Sequence, residues 1–201
     1  MNKYITIIPA RGGSVRLPKK NILELNGMPL IAYSILYSKK YLPQSEVYVS
    51  TDSSEIAAIS KKYGAKIINR PLELSSDKTS TAEVLKHAAE ILAGDGIVYD
   101  YMVLLQATNP LRPDSLMSDA IKIIEENDVD SLFTVSPSDR KLGRIKDHTF
   151  IPWNYSFGQR SQDMEPLYYE NGLLYITRKD IILSGKIVGN NMFPLIVDHV
   201  F

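Results

Sequence analysis

A glycine-rich and strongly basic segment near the start of the chain carries the clearest chemistry in the sequence. It runs from Ile8 to Asn21, reads IPARGGSVRLPKKN and contains no acidic residue. Its cations are Arg11, Arg16, Lys19 and Lys20. Gly12 and Gly13 allow backbone conformations in which successive amides point the same way, and such amides bind anions. The segment therefore predicts a polyphosphate site, although a solvated loop after a strand would also contain glycine and lysine.

A second candidate is Gln106, an amide that follows the apolar run Tyr101–Leu105. A polar side chain at the end of a buried strand normally needs a hydrogen-bond partner. We therefore expect the side chain of Gln106 to meet a polar partner, either within the fold or in a bound ligand.

Short β-branched runs alternate with amphipathic helical patterns, which is typical of βαβ units on a mostly parallel sheet. The predicted strands are Tyr4–Ile8, Val47–Ser50, Ala65–Ile68, Tyr101–Leu105, Ser131–Val135, Gly172–Ile176 and Phe193–Val197. The predicted helices begin at Pro29, after an Asp52 cap, after a Ser80 cap with Glu83 as its capping-box partner, and at Pro113. Open α/β sheets bind ligands at the carboxyl ends of their strands, where the basic segment and Gln106 both lie.

Composition excludes several classes of function. The 201 residues are 44% hydrophobic, which is enough for one compact domain with a buried core. Lys plus Arg and Asp plus Glu both number 23, so bulk attraction to nucleic acid or to an anionic membrane has no support. No apolar run approaches the ~20 residues of a membrane span. The lack of cysteine and of a secretion signal predicts a cytoplasmic protein.

The regular pattern breaks over residues 137–170, called the arm below. Charges and aromatic residues without a clear period predict a hairpin that leaves the sheet and contacts a partner subunit in a homodimer. The chain then ends at Phe201 with apolar residues and no covering helix. We expect this end to be continued in a longer native protein or to pack on a neighbour.

Four ordered motifs resemble those of the acylneuraminate cytidylyltransferase family. The first is ARGGS followed by RLP and KN in the opening segment. The second is VYVSTD at Val47–Asp52, with INRPLELSSDKTST from Ile68 to Thr81. The third is LLQATNPLR at Leu104–Arg112, and the fourth is YYENGLLYIT at Tyr168–Thr177. This resemblance implies a three-layer, Rossmann-like α/β nucleotidyltransferase domain with a mostly parallel sheet and a protruding dimerisation arm.

The resemblance also implies a reaction. CMP from CTP would be joined to the anomeric hydroxyl of a nine-carbon α-keto sugar acid, with release of pyrophosphate. Arg11 and Lys20 are the implied catalytic residues, because they would neutralise charge on the leaving pyrophosphate. The implied nucleotide-binding residues are Arg11, Gly12, Gly13, Ser14, Lys20, Asn21, Arg70, Asp77 and Thr81. Asn21 either holds the loop or faces the nucleotide, and Arg70, Asp77 and Thr81 also fit purely structural positions.

The residues that the resemblance places on the sugar side are Gln106, Thr108, Arg112, Lys141, Arg160, Tyr169 and Asn171. A sugar carboxylate calls for arginine or lysine, but Lys141 and Arg160 lie in the arm, where exposed basic residues are also expected without a ligand. Asn171 and the glycine after it equally fit an ordinary hairpin turn. Departures from the family pattern at Ala107, Asn109 and the Tyr169-Glu170 pair leave the acid open among sialic, legionaminic and pseudaminic acids. At Val15 the family commonly has lysine, so one phosphate contact is lost or is replaced by Arg16 or Lys19.

Finally, the resemblance implies Mg²⁺, held in the family by an acidic D-x-D segment. We expect its ligands to lie beyond residue 201, because Asp198 fits a turn residue better. Two alternatives stay open: a transferase of the 3-deoxy-octulosonate type, and a nucleotide-binding domain with impaired catalysis. A Rossmann-type redox protein is disfavoured, because the basic segment matches neither G-x-G-x-x-G nor a Walker loop.

Overall fold

The computed structural model describes residues 2–13 and 17–198. Its strands are β1 (Tyr4–Pro9), β2 (Glu24–Leu25), β3 (Met28–Pro29), β4 (Glu46–Thr51), β5 (Lys66–Asn69), β6 (Tyr101–Leu104), β7 (Ser131–Ser138), β8 (Gly143–Lys146), β9 (Thr149–Pro152), β10 (Leu167–Arg178) and β11 (Met192–Ile196). Its α-helices are α1 (Leu30–Tyr41), α2 (Ser54–Lys62), α3 (Thr81–Gly94), α4 (Leu116–Glu126) and α5 (Lys179–Leu183). Each predicted strand and helix corresponds to one of these elements.

The main sheet has seven strands in the order β11-β7-β10-β6-β1-β4-β5. β1 pairs in parallel with β4 and β6, β4 pairs in parallel with β5, and β11 pairs in parallel with β7. β10 runs antiparallel between β6 and β7, so the prediction of a mostly parallel sheet is confirmed with one reversed strand. The chain moves from β1 towards β5 and then returns to the other side of β1. The strand order therefore reverses at β1, and its carboxyl end opens a crevice.

Helices cover both faces of the sheet, which confirms the predicted three layers. On one face, α1, α2 and α4 pack through buried residues such as Ile31, Ile56 and Met117. On the other face, α3 and α5 pack through Leu85 and Ile182. In the described part of the chain, no helix combines the length and the hydropathy needed to cross a bilayer.

The starts of two helices differ from the predictions. Ser53, not Asp52, caps α2, because Ser53 Oγ accepts a hydrogen bond from the Ile56 amide at 3.3 Å. This leaves the carboxylate of Asp52 to another partner. α4 begins at Leu116 rather than at Pro113, because Pro113 opens a turn in which its carbonyl accepts from the Leu116 amide at 3.3 Å.

The arm is more regular than the sequence suggests. Its two ends belong to the main sheet, since β7 and β10 pair as far as Ser138 and Leu167, and β8 and β9 form a separate hairpin between them. Asn171 and Gly172 do not form a hairpin turn. They lie inside β10 at a bulge, where the register with β7 shifts between Glu170 and Tyr175, and Gly172 has a φ of +71°.

Candidate functional site

A cavity of about 600 Å³ lies at the carboxyl ends of β1 and β6, beside the reversal of strand order. Three segments line it: the loop after β1, the connection from β5 into α3, and the chain that follows β6. The predicted site residues that line it are Arg11, Lys20, Asn21, Arg70, Asp77, Thr81, Gln106 and Thr108. The fold therefore brings together residues that are far apart in the sequence, at the edge where α/β sheets bind ligands.

Side chains hold the peptide between Arg11 and Gly12 on both sides. Its carbonyl oxygen accepts a hydrogen bond from Asn21 Nδ2 at 3.0 Å, and its N–H donates to Asp52 Oδ1 at 2.8 Å. Asn21 is buried and lines the cavity, so it holds the loop from the cavity side. The Gly12 amide was expected to bind phosphate. In this structure a carboxylate occupies it, and that expectation is corrected.

The two glycines of the loop have different surroundings. A Cβ added to Gly12 would lie 3.0 Å from Ser53 Cβ, so the loop approaches α2 too closely for a side chain. No described atom lies within 4 Å of a Cβ added to Gly13. The predicted phosphate ligand Ser14 lies outside the described residues, as do Val15 and Arg16.

Arg70 supplies a fixed positive charge to the cavity. Its guanidinium is buried, with Nε donating to Ser50 Oγ at 3.2 Å and Nη2 donating to the Ser50 carbonyl at 2.5 Å. Burial lowers the pKa of Arg70 to about 10, the charge of Arg11 acts in the same direction, and the Asp52 carboxylate opposes both. Arg70 therefore stays protonated at neutral pH. The resemblance implied a nucleotide ligand at Arg70, and the structure makes it a buried cation at the cavity wall.

Two basic residues of the loop already have acidic partners. Arg11 Nη2 contacts Asp77 Oδ1, and the side chain of Asp77 is 56% exposed. Lys19 Nζ lies 2.8 Å from Glu55 Oε2 in a largely exposed pair. Exposed ion pairs contribute little free energy. An anion that enters the cavity can therefore replace Asp77 at Arg11 at small cost.

The first turn of α3 forms part of the cavity wall. Ser80 Oγ accepts from the Glu83 amide at 3.3 Å and the Ser80 amide donates to Glu83 Oε2 at 2.7 Å, so the predicted capping box is confirmed. Two threonines on either side of the Ser80 cap line the cavity: Thr79, and Thr81, which is the first residue of the helix. Their hydroxyls can donate and accept hydrogen bonds, which is what the polar edge of a nucleobase or a ribose requires.

Gln106 and Thr108 line the cavity, but Arg112 does not. The Arg112 guanidinium is buried and donates from Nε to the Leu173 carbonyl at 2.7 Å, from Nη1 to Ser34 Oγ at 3.0 Å and from Nη2 to the Gln106 carbonyl at 2.8 Å. These bonds tie the chain after β6 to α1 and β10. The expectation of a direct sugar contact is corrected, because Arg112 supports Gln106 from behind.

Asn171 is also buried, and its side chain is used within the fold. Its Oδ1 accepts from Thr134 Oγ1 at 2.5 Å, and its Nδ2 donates to Ser136 Oγ at 2.9 Å. A Cβ added to the neighbouring Gly172 would lie 3.2 Å from Gln106 Oε1. Asn171 therefore fixes the bulge and Gly172 allows the strand to approach Gln106, which corrects the expectation that the Asn171 side chain binds sugar.

The remaining sugar candidates lie away from the cavity of their own chain. Lys141 donates to the Gln159 carbonyl at 2.5 Å. Arg160 forms a bidentate pair with Asp163, at 2.7 and 2.9 Å. Tyr169 is exposed on β10. None of the three is among the described residues that line the cavity.

Asp52 is the residue near the site that sequence reasoning missed. The sequence pattern predicts Asp52 as the N-cap of α2, but Ser53 is the residue that caps this helix. The available signal was the position of Asp52 directly after β4, at the same sheet edge as the basic segment, where an acidic residue needs a donor.

The described residues do not fit a magnesium site. They contain no cluster of three or more acidic, histidine or cysteine side chains, and the only carboxylate among those that line the cavity is Asp77, which is paired with Arg11. Mg²⁺ prefers several oxygen ligands in octahedral geometry.

Comparison with known proteins agrees with this geometry. A family model described as Cytidylyltransferase matches residues 5–187. The chain belongs to the cytidylyltransferase family. The motifs in the sequence and the position of the cavity thus belong to a nucleotidyltransferase enzyme, as the resemblance implied.

Curated relatives of this cytidylyltransferase are about one-third identical to it. It is 34% identical over 179 residues to the pseudaminic acid cytidylyltransferase of Campylobacter jejuni. The matched region covers 86% of this chain and 77% of that protein. It is 35% identical over 191 residues to the N-acylneuraminate cytidylyltransferase of Escherichia coli, but spans only 44% of that protein's length. It is 32% identical to the CMP-N,N'-diacetyllegionaminic acid synthase of Legionella pneumophila, with 98% of this chain and 88% of that protein covered.

Solved structures share the fold at low sequence identity. A CMP:2-keto-3-deoxy-manno-octonic acid synthetase in complex with CTP superposes with a TM-score of 0.70 at 16% identity, over 97% of this chain and 90% of that chain. A 4-diphosphocytidyl-2C-methyl-D-erythritol synthase gives a TM-score of 0.70 at 11% identity, over 98% and 89% of the two chains. These likenesses confirm the Rossmann-like architecture.

Proposed function

We propose that this cytidylyltransferase joins CMP from CTP to the anomeric hydroxyl of a nonulosonic, sialic-acid-like sugar acid and releases pyrophosphate. The observation that carries the proposal is the meeting of Arg11, Lys20 and Arg70 in one cavity at the reversal of strand order. Its volume of about 600 Å³ is in the usual range for a small-molecule site.

The cations serve the phosphate chemistry. The acceptor hydroxyl gives up its proton to water, and its oxygen forms a bond to the α-phosphorus as the bond from that phosphorus to the bridging oxygen of pyrophosphate breaks. Negative charge then grows on the leaving pyrophosphate, and Arg11 and Lys20 stabilise it. Arg70 is held by two hydrogen bonds to Ser50, so it keeps its position before substrate arrives and costs little reorganisation.

The wall formed by the start of α3 receives the nucleoside. Ser76, Thr79 and Thr81 line this side and offer hydroxyl donors and acceptors. A cytosine edge presents one amino donor and two acceptors, so it suits a polar wall of this kind. The nucleoside would thus lie between the α3 side and the loop after β1.

The acceptor class rests on the relatives and on the cavity residues that follow β6. The three relatives above are named for pseudaminic acid, N-acylneuraminate and diacetyllegionaminic acid, which are nonulosonic acids. Gln106 and Thr108, on the chain after β6, line the cavity with an amide and a hydroxyl, which suits a hydroxyl-rich sugar. A 3-deoxy-octulosonate acceptor has only the likeness of fold in its favour.

Release of pyrophosphate tests the proposal. The purified chain is incubated with CTP and Mg²⁺ and with each of a panel of acids: sialic, legionaminic, pseudaminic and 3-deoxy-octulosonic. We expect release with at least one of the three nonulosonic acids, and much less when UTP replaces CTP. Release with the octulosonic acid alone would establish the alternative acceptor. CTP binding without release from any acid would instead indicate a catalytically impaired nucleotide-binding domain.

Magnesium and the cellular location are part of the same proposal. Mg²⁺ binds phosphate oxygens readily, and we propose that turnover requires it. Full activity in the presence of EDTA would contradict this requirement. The cytoplasmic location stays a prediction, and it agrees with a chain that has no cysteine.

We also propose a homodimer formed through the arm. Ile145, Trp153 and Phe157 in and beside the β8–β9 hairpin are 80%, 62% and 72% exposed. Phe150 links two of them, because it pairs with Ile145 across the hairpin and its ring centroid lies 6.3 Å from that of Phe157. Clustered exposed apolar side chains of this size mark interaction surfaces. A second copy of the chain would cover them, and this fits an arm that extends from the sheet.

A further inference from the structure

Asp52 is half-buried, contacts the loop that follows β1, and has no role in the proposed chemistry. It follows the last residue of β4, and its Oδ1 accepts the Gly12 amide at 2.8 Å. Ser53 supplies the cap of α2, so helix capping does not explain the carboxylate. The bond to Gly12 joins the carboxyl ends of β4 and β1, where the basic loop leaves the sheet.

The bond matters because of the peptide that it holds. The amide of Gly12 and the carbonyl of Arg11 are the two polar ends of one peptide group, and Asn21 Nδ2 binds the carbonyl at 3.0 Å. Rotation of this group would change ψ of Arg11 and φ of Gly12 together. With both ends held, this peptide cannot flip, and the course of the loop that carries Arg11 is set before any ligand binds.

The charge of Asp52 does not account for its presence. A carboxylate close to a polyphosphate site repels the ligand, and it would lower affinity unless it served another purpose. It also favours the protonated form of Arg70, but Arg70 is a cation at neutral pH in any case. What remains is the placement of a hydrogen-bond acceptor at the Gly12 amide.

We infer that Asp52 is a positioning residue of the nucleotide site: together with Asn21 it fixes the Arg11–Gly12 peptide and so holds the loop that carries Arg11 at the cavity. The inference rests on the proposed function, since it takes CTP as the ligand that Arg11 meets. Asp52 touches neither nucleotide nor acceptor and acts through the loop.

The affinity for CTP, measured by calorimetry without acceptor so that no turnover occurs, tests this inference. Asp52→Ala removes the acceptor, Asp52→Asn keeps an acceptor oxygen without the charge, and Asp52→Glu keeps the charge but moves the acceptor by one methylene. Asp100→Ala is the matched control. Asp100 Oδ2 accepts the Lys3 amide at 2.7 Å, so it makes the same type of bond at the opposite end of β1.

If position is what matters, Asp52→Ala and Asp52→Glu raise the Kd for CTP about tenfold or more, while Asp52→Asn stays within about threefold of the parent. Asp100→Ala lowers the melting temperature without changing the Kd. If Asp52→Ala does not fold, the Asn and Glu variants still decide between geometry and charge.

Two results would overturn the inference. One is an unchanged Kd in Asp52→Ala or Asp52→Glu, and the other is loss of affinity in Asp52→Asn but not in Asp52→Glu, which would assign the effect to charge. If the parent chain itself does not bind CTP, the proposed function fails before Asp52 is tested. The two failures are therefore distinguishable.

Discussion

Gly12 shows how closely single residues are packed where the loop leaves the sheet. A Cβ added to Gly12 would lie 3.0 Å from Ser53 Cβ. Each of these atoms is bonded directly to the backbone, so neither can move away without a shift of the main chain. We predict that Gly12→Ala lowers the free energy of unfolding by about 1–3 kcal/mol, as overpacking does elsewhere. Urea denaturation without nucleotide measures this.

Gly13→Ala is the control for this substitution. Gly13 is the next residue along the chain, and no described atom lies within 4 Å of its added Cβ. The free energy of unfolding of Gly13→Ala should therefore stay close to that of the parent chain. Equal destabilisation by the two substitutions would show that the contact with Ser53 is not what requires glycine at position 12.

At the scale of elements, Arg112 connects three parts of the fold. Its bonds to Ser34 Oγ and to the carbonyls of Gln106 and Leu173 tie α1, the chain after β6 and β10 together. We predict that Arg112→Met lowers the free energy of unfolding by about 3 kcal/mol or more, because it leaves buried acceptors without donors. Arg178→Met, at an arginine whose pair with Asp180 is exposed, should cost much less in the same denaturation experiment.

Helix α3 carries a histidine that makes stability depend on pH. Burial lowers the pKa of His87 from its ordinary value near 6.5, the charge of Arg70 acts in the same direction, and Glu90 opposes both. The unfolded chain then binds a proton more readily than the folded chain as the pH falls through that value. Stability contributed by neutral His87 is therefore lost towards acidic pH.

We predict that His87→Gln reduces the loss of stability between about pH 7 and about pH 5. The melting temperature measured across this range for the variant and the parent chain gives the difference. His148→Gln, in the exposed turn between β8 and β9, serves as the control. An identical pH profile for parent and His87→Gln would contradict the prediction.

At the scale of the whole molecule, the arm decides the oligomeric state. We predict that the parent chain sediments as a dimer and that Ile145→Asp together with Phe157→Asp shifts it to a monomer, because charge replaces exposed apolar surface. Analytical ultracentrifugation measures the shift. Lys62→Asp, on the exposed last turn of α2, is the control for added negative charge, and a parent chain that is monomeric at all concentrations would contradict the prediction.

The same scales explain what the sequence could predict. Strands such as β1 and β6 were predictable because continuous apolar runs are required where a parallel strand is covered on both faces. The Ser80 capping box was predictable because it is a local pattern. The position of the cavity was predictable because the basic segment directly follows β1. This segment contains four cations and no acidic residue, which indicates an anionic ligand.

What the sequence could not show depends on contacts between distant segments. Arg112 and Asn171 have the chemistry of ligands, and only their three-dimensional partners reveal that the fold uses them. Asp52 and Ser53 are both good caps, and local pattern does not say which one α2 takes. The bulge at Gly172 is likewise a product of the pairing of β10 with two neighbours, since an Asn-Gly pair alone predicts a turn.

The pairing of Arg11 with Asp77 gives the capture of a nucleotide the character of an ion exchange. A triphosphate that reaches Arg11 replaces a resident carboxylate, so fewer counterions are released to the solvent than the three cations at the cavity would suggest. Rising ionic strength screens the resident pair and the incoming ligand together. The affinity of this site for CTP should therefore fall with salt less steeply than that of a cavity whose arginines stand unpaired.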